Sequence, residues 1–292
     1  MSPKRITSLR PLAYAFWALL LLLGGVLAWL VFGSDKGGGL DQDSATAKVC
    51  TPGSPCLALV VDDLGRDFPM LERLLRLEAP LTFGVLPHAK HTDRAVRTIR
   101  QRGREFIVHL PMRPLDTNTL TDEALVLGMD GPLETVLTEC LNRVPGAAGV
   151  SNHMGSQLSQ QVGAMARVMR VLKKRKLWAL DSRTTLRSVI CAEARRARVP
   201  CLERDVFLDH KPAKADIRFQ LRKALTRARQ RGWAVAIAHP RPGSVEVLEQ
   251  FLRNPGVRVV PLSALVTREG LSGASTTPTG GVVKRSGEKR HK

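Results

Sequence analysis

The sequence predicts an α/β fold, an irregular (β/α) barrel of about seven parallel strands preceded by one transmembrane helix. Short apolar runs alternate with longer amphipathic stretches through the middle of the chain; several of the runs end in Asp or His; and one long uncharged run lies near the N-terminus. The first observation implies parallel strands, because strands covered by helices on both faces read as continuous apolar segments. The second implies a shared functional rim. The third places the rest of the chain on the far side of a membrane.

In chain order, Lys4, Arg5 and Arg10 precede Pro11–Gly33, a run without a charged residue. At about 1.5 Å per residue it spans a hydrocarbon core of about 30 Å. It exceeds a secretory h-region and lacks a small-x-small cleavage site, so an uncleaved signal anchor is favoured. Basic residues before the run keep that end in the cytoplasm. The expected localisation is therefore a single pass of the inner membrane with the main domain in the periplasm. Residues 34–55, rich in Gly, Ser, Asp and Thr, read as a flexible linker, and residues 268–292 as a disordered basic tail. Between them, residues 56–267 form one block with no second linker and no internal repeat.

Within that block the apolar runs are Leu57–Val61, Leu81–Leu86, Glu105–Leu110, Gly149–Ser151, Leu177–Leu180, Val199–Leu202, Ala234–Ala238 and Val257–Pro261. Helical spacing is clearest in Ala164–Lys174, Ser188–Ala197, Ile217–Arg231 and Val245–Asn254. An irregular barrel suits this alternation, with an open doubly wound sheet as the alternative. The chain has no Gly-x-Gly-x-x-Gly after a strand and no P-loop, so nucleotide-binding readings lose their usual support.

Lys and Arg number 45 against 26 Asp and Glu, a formal charge of +19. Aromatic residues make up only 4%, and no groove-reading motif is present, so no nucleic-acid partner is expected. The excess cations fall on helix-like stretches, as solvated faces or as attraction toward an anionic envelope polymer. Five cysteines without Cys-x-x-Cys argue against zinc ribbons and thioredoxin-like chemistry. Cys50/Cys56 and Cys191/Cys201 are each close enough in sequence to close a short loop in an oxidising compartment.

In parallel α/β folds functional groups gather where strands end. The first run leads into Asp62 and Asp63, the third into His109, the fourth into Asn152-His153, the fifth into Asp181-Ser182-Arg183, and a late one into His239. One Asp with two His is a ligand set for a divalent cation, zinc or iron, with positions left open for catalysis. His88 and His91 form a His-x-x-His after the second run, in what reads as an exposed loop.

Leu57–Gly65 resembles the opening strand motif of polysaccharide deacetylases, whose NodB-type fold is a deformed (β/α) barrel. The fuller set, His109-Leu110-Pro111-Met112, Asn152–Ser156, Leu180–Thr184, Arg204–Asp209 and Ala238-His239-Pro240, is similar to the divergent polysaccharide deacetylase (YibQ-like) branch over Cys56 to Val266. The resemblance implies that Asp63 binds the metal, most simply zinc, and that Asp62 is the catalytic base. His109 falls where the main family has the first His of its metal-binding pair. The second is absent from Leu110–Leu115, and His153 is the replacement inferred for it. His239 matches the general acid. Asp181 and Arg183 are expected to orient it or to act on substrate, and Asn152, Ser156 and Asp205 to contact substrate. The branch is associated with the bacterial envelope. The implied function is hydrolytic removal of acetyl groups from an envelope glycan, such as peptidoglycan or another acetylated polysaccharide. The alternative is an inactive barrel that binds or scaffolds envelope components.

Overall fold

The computed structural model of the chain describes residues 50–119, 127–128 and 131–266. The predicted anchor and basic tail, and the linker before Cys50, lie outside the described residues. Among those described, no helix is long and apolar enough to cross a membrane.

The described strands are β1 (Cys56–Leu64), β2 (Thr82–Val85), β3 (Phe106–Met112), β4 (Gly149–Met154), β5 (Trp178–Asp181), β6 (Cys201–Glu203), β7 (Val206–Phe207), β8 (Trp233–Ala238) and β9 (Arg258–Val260). Eight of them follow one path, β6-β5-β4-β3-β2-β1-β8-β7, with β9 beside β1 ahead of β2. Every pairing is parallel. Each of the eight apolar runs became a strand. The sequence pattern does not reveal β7, a two-residue strand too short to show a period.

The two ends of the path, β6 and β7, are joined by Arg204 and Asp205 alone. The Arg204 amide donates to Asp181 O of β5 and the Asp205 amide to Val235 O of β8, each at 2.9 Å. Two consecutive residues thus link opposite ends of the path, and its eight strands form a parallel half-barrel.

Helices α1 (Phe68–Leu75), α2 (Thr92–Gln101), α3 (Leu133–Arg143), α4 (Val162–Lys174), α5 (Ile190–Ala197), α6 (Lys214–Arg231) and α7 (Pro242–Leu252) cover the outside. α1 begins where Asp67 accepts from the Met70 amide at 2.9 Å, with proline in its first turn. α4 buries Ala164, Met165, Val168, Met169 and Leu172, a stripe at helical spacing. α6 buries only Ile217, Leu221, Ala224 and Ala228 and leaves the rest of its surface basic.

Alternation along the strands divides the core in two. Leu57, Leu59 and Val61 pack with the helices, whereas Cys56, Ala58 and Val60 turn into the lumen with Ile107, Trp178, Leu180, Leu202, Val235 and Ile237. Disulfides Cys50–Cys56 and Cys191–Cys201 secure the start of β1 and tie α5 to β6, and Cys140 is a buried free thiol.

Candidate metal centre

Three site residues stand two positions beyond the last apolar lumen residue of their strands. Val60 is followed by Asp62, Ile107 by His109 and Ile237 by His239, so the period of two that fills the lumen also crowns it with polar groups. On β4 the same face carries Ser151 and His153. Ser151 is the register partner of His109, and Pro111 that of His153.

Asp63 breaks this rule and is the more informative for it. A regular strand would turn Asp63 away from the face that carries Asp62. Instead its φ is 60°, and the pairing of β1 with β2 slips between Val61 and Leu64. The bulge re-aims the side chain, as bulges beside functional sites do. Both carboxylates then face His109: Asp62 Oδ1 lies 3.4 Å from Nδ1 and Asp63 Oδ1 3.2 Å from Nε2. Asp62 needs a glycine opposite, since a Cβ on Gly84 would stand 1.9 Å from its Oδ1.

Asp63 Oδ1, His109 Nε2 and His153 Nδ1 form a triangle with edges of 2.9, 3.2 and 3.2 Å. Asp63 Oδ1 is buried with no hydrogen-bond partner of good geometry. Three donor atoms at these separations can all reach one ion at the usual ligand distance of about 2.1 Å. The set is imidazole and carboxylate, so the residues fit a divalent cation of the zinc or iron type.

His109 is oriented from behind, where its Nδ1 meets Ser151 Oγ at 2.7 Å and Ser151 donates on to Asp62 Oδ1 at 3.4 Å. A hydroxyl placed behind the ring in this way fixes which nitrogen faces the metal. Burial pushes the Asp62 carboxyl up, against the pull of His109 and His239. Burial would raise Asp63 too, but the imidazoles of His109 and His153 hold it far below the usual carboxylate range.

His239 stands across the triangle, its Nε2 4.0 Å from Asp63 Oδ2. Asp209, fully buried, fixes it: Oδ1 meets His239 Nδ1 at 2.8 Å, and Oδ2 accepts from the His239 amide at 2.7 Å and from Ser244 Oγ at 2.6 Å. Burial would raise Asp209, but the bonds and charge of His239, with Ser244, leave it below the ordinary value.

The other expected residues sit elsewhere. Asp181 follows Ala179 on the helix-facing side of β5, so alternation carries it away from His239; its Oδ1 accepts from the Arg183 amide at 2.8 Å. Arg183 points to Glu203 at 3.6 Å. The expectation that these two orient His239 is therefore corrected: Asp209 holds that place. Asn152 was expected to meet substrate, but its side chain is engaged internally, with Ser182 N, Met154 O and Thr184 Oγ1. Ser156 Oγ accepts from the Leu115 amide. Asp205 receives Arg227, Arg231 and the Val235 amide. His88 lies 3.7 Å from Cys140 Sγ and His91 precedes α2, neither near the triangle. Sequence reasoning did not single out Ser151 or Gly84, and it assigned Asp209 no role. Ser151 was readable as the residue two before His153, on the same strand face.

Comparison with known proteins agrees with this architecture. A sequence model described as divergent polysaccharide deacetylase matches residues 59–266. The uncharacterized protein YibQ of Escherichia coli (strain K12) is 33% identical over 229 residues, 77% of this chain and 72% of that protein. An uncharacterized protein of Haemophilus influenzae (strain Rd) is 33% identical over 199 residues, 68% of this chain and 71% of that protein. The crystal structure of the uncharacterized protein ATU2773 from Agrobacterium tumefaciens C58 superposes with a TM-score of 0.68 at 23% identity, covering 78% of this chain and 97% of that one. That likeness shows the fold.

Proposed function

The chain belongs to the divergent polysaccharide deacetylase family, and on that premise we propose that it is a metal-dependent hydrolase of the bacterial envelope that removes acetyl groups from an acetylated glycan. The observation that carries this reading is the pairing of an Asp-His-His triangle with a carboxylate-anchored histidine 4.0 Å away. Asp63, His109 and His153 would hold one divalent cation, zinc being the simplest choice, whose chemistry is to polarise a carbonyl and to acidify water.

The protein's own groups supply the rest. With Nδ1 of His239 committed to Asp209, its Nε2 faces the site and can deliver a proton to the departing amine or hydroxyl of the sugar. Asp62, beside the triangle and almost wholly buried, accepts the proton of the attacking water. Ser151 keeps the His109 ring turned so that Nε2 faces Asp63 and His153. Asp62 and His239 thus divide acid and base work across one rim.

An oxidising, periplasm-facing location is supported by the two disulfides, since such bonds persist outside the cytosol. The uncharged run Pro11–Gly33 supports an inner-membrane anchor.

The test uses the purified full-length chain. Bound metal is quantified, and acetate release is followed from acetylated chitooligosaccharides and peptidoglycan, with His153→Ala as control. Stoichiometric metal with acetate release that His153→Ala abolishes is the expected result. Stoichiometric metal without acetate from any glycan would overturn the hydrolase and leave a metal-holding envelope scaffold.

A further inference from the structure

Next to His239 the surface opens into a cavity of about 620 Å³ between the segment Arg204–His210 and α6. Its lining includes Arg204, Phe207, Phe219, Arg222, Lys223 and Arg227. Phe219, Arg222, Lys223, Thr226, Arg227 and Gln230 recur at helical spacing, so one face of α6 forms a whole wall. The opposite wall leads to the metal centre, because the Phe207 ring, which lines the cavity, has its centroid 4.9 Å from that of His239. Arg204 stands 5.0 Å from the Phe207 ring and is fixed by Ser182 O at 2.6 Å and Arg183 O at 3.0 Å.

The charges in this cavity are poorly balanced by the protein. α6 carries seven Lys or Arg against one acidic residue, Asp216. Lys214 pairs with Glu246, and Arg227 and Arg231 share Asp205. No described carboxylate lies within ion-pair distance of Arg222 or Lys223, both exposed; their described contact is the Phe219 ring, at 5.9 and 5.1 Å. Like charges four residues apart (Arg218 and Arg222, Lys223 and Arg227, Arg227 and Arg231) oppose helix formation, so this face is costly unless an anion meets it. Phe219, 49% exposed in the middle of the cations, offers an apolar ring where solvation alone would favour a polar side chain.

We propose that this cavity is a subsite for an anionic glycan. Arg222 and Lys223 take its carboxylate or phosphate substituents and Phe219 packs on the apolar face of a sugar. The neighbouring unit runs past Phe207 toward His239. Delivery to His239 rests on the hydrolase reading; the binding itself does not.

Fluorescence anisotropy with the full-length chain in neutral detergent tests it, using labelled oligogalacturonate (carboxylate), a glycerol-phosphate oligomer (phosphate), a neutral chitooligosaccharide and single-stranded DNA. The expected result is binding of one or both oligoanion probes that weakens steeply between about 50 and 200 mM salt. The arm that binds more tightly identifies the substituent. Arg222→Gln with Lys223→Gln should weaken it at least about tenfold and flatten the salt dependence, and Phe219→Ala should weaken it while leaving that dependence intact. Removing the same charge from α4, by Lys173→Gln with Lys174→Gln, should change nothing. The proposal is overturned if neither oligoanion binds, if DNA binds as tightly, or if both double variants lose affinity equally. Acetate release followed in parallel separates the two readings. Oligoanion binding without acetate leaves the subsite and removes the hydrolase, whereas acetate without oligoanion binding does the reverse.

Discussion

Replacing Asp209 by Asn probes the arrangement most sharply, because it keeps the shape and removes one buried charge. The carboxylate receives His239 Nδ1, the His239 amide and Ser244 Oγ, and charge-assisted bonds of this kind are worth about 1.5–3 kcal/mol each. Asn can satisfy only one side. With its oxygen toward Nδ1, its NH2 confronts the His239 amide, an unmatched donor. With the oxygen toward the amide, the NH2 forces Nδ1 to become an acceptor and moves the ring proton to Nε2. The expected cost is about 2–4 kcal/mol of stability, a fall in Tm of roughly 5–15 °C for a domain of this size. Turnover should drop by about 10²- to 10⁴-fold with metal content unchanged, and the pH–rate profile should shift. The stability difference carries a pH signature. The folded carboxyl titrates below its ordinary value, so its contribution is complete above about pH 4 and fades as pH falls through the folded value. Wild type and variant should therefore converge in acid. Thermal melts from pH 3 to 8 and a pH–rate profile check this. An unchanged melting curve, or a normal rate profile, refutes the assigned role.

Ser151→Ala and Asp62→Asn should separate two functions that sit side by side. Losing the Ser151 hydroxyl should weaken metal affinity about 10- to 100-fold by competition with a chelator, whereas Asp62→Asn should retain metal and lose turnover. Gly84→Ala places a Cβ 1.9 Å from Asp62 Oδ1, so it should displace that carboxylate and cost about 1–3 kcal/mol in denaturant melts. Chelation should lower Tm in wild type but not in His153→Ala, because a cation held by Asp63, His109 and His153 would bridge strands β1, β3 and β4 only with all three side chains present. Burial pushes the Cys140 thiol up to about 12, so a thiol reagent at pH 8 should find nothing in the native chain, one thiol in denaturant, and five after reduction.

Much of this was legible in the sequence because one physical rule governs both the core and the site. Continuous apolar runs marked the buried strands, and their polar ends marked the rim, so Asp62, Asp63, His109, His153 and His239 could be read from the order of residues alone. Face assignment was less legible. Asp181 ends its strand as His239 follows its own, yet it points to the helix layer because it is odd in register where Leu180 is even. That parity is fixed by pairing with neighbours, which no single strand announces. Asp209 was hidden for a different reason. It lies past the two-residue strand β7, beside His239 only because β7 runs parallel to β8.

The curl of the sheet explains why the two sides of the site can be distant in sequence and adjacent in space. β1 contributes Asp62 and Asp63, β3 and β4 contribute the imidazoles on one side, and β8 with the segment after β7 contributes His239 and Asp209 on the other. Among the described strands β1 lies between the two sides, separated from β3 by β2 on one edge and paired with β8 on the other. A bulge on that strand therefore sets the geometry of the whole centre. It lets two consecutive carboxylates reach one rim, Asp62 behind the His109 ring with Ser151 and Asp63 in front of it, 3.2 Å from Nε2 and 4.0 Å from His239. A straight β1 would bring one carboxylate into the rim and bury the other among the helices. Adjacent aspartates at the end of an apolar strand thus predict a local break in that strand wherever both must reach one lumen.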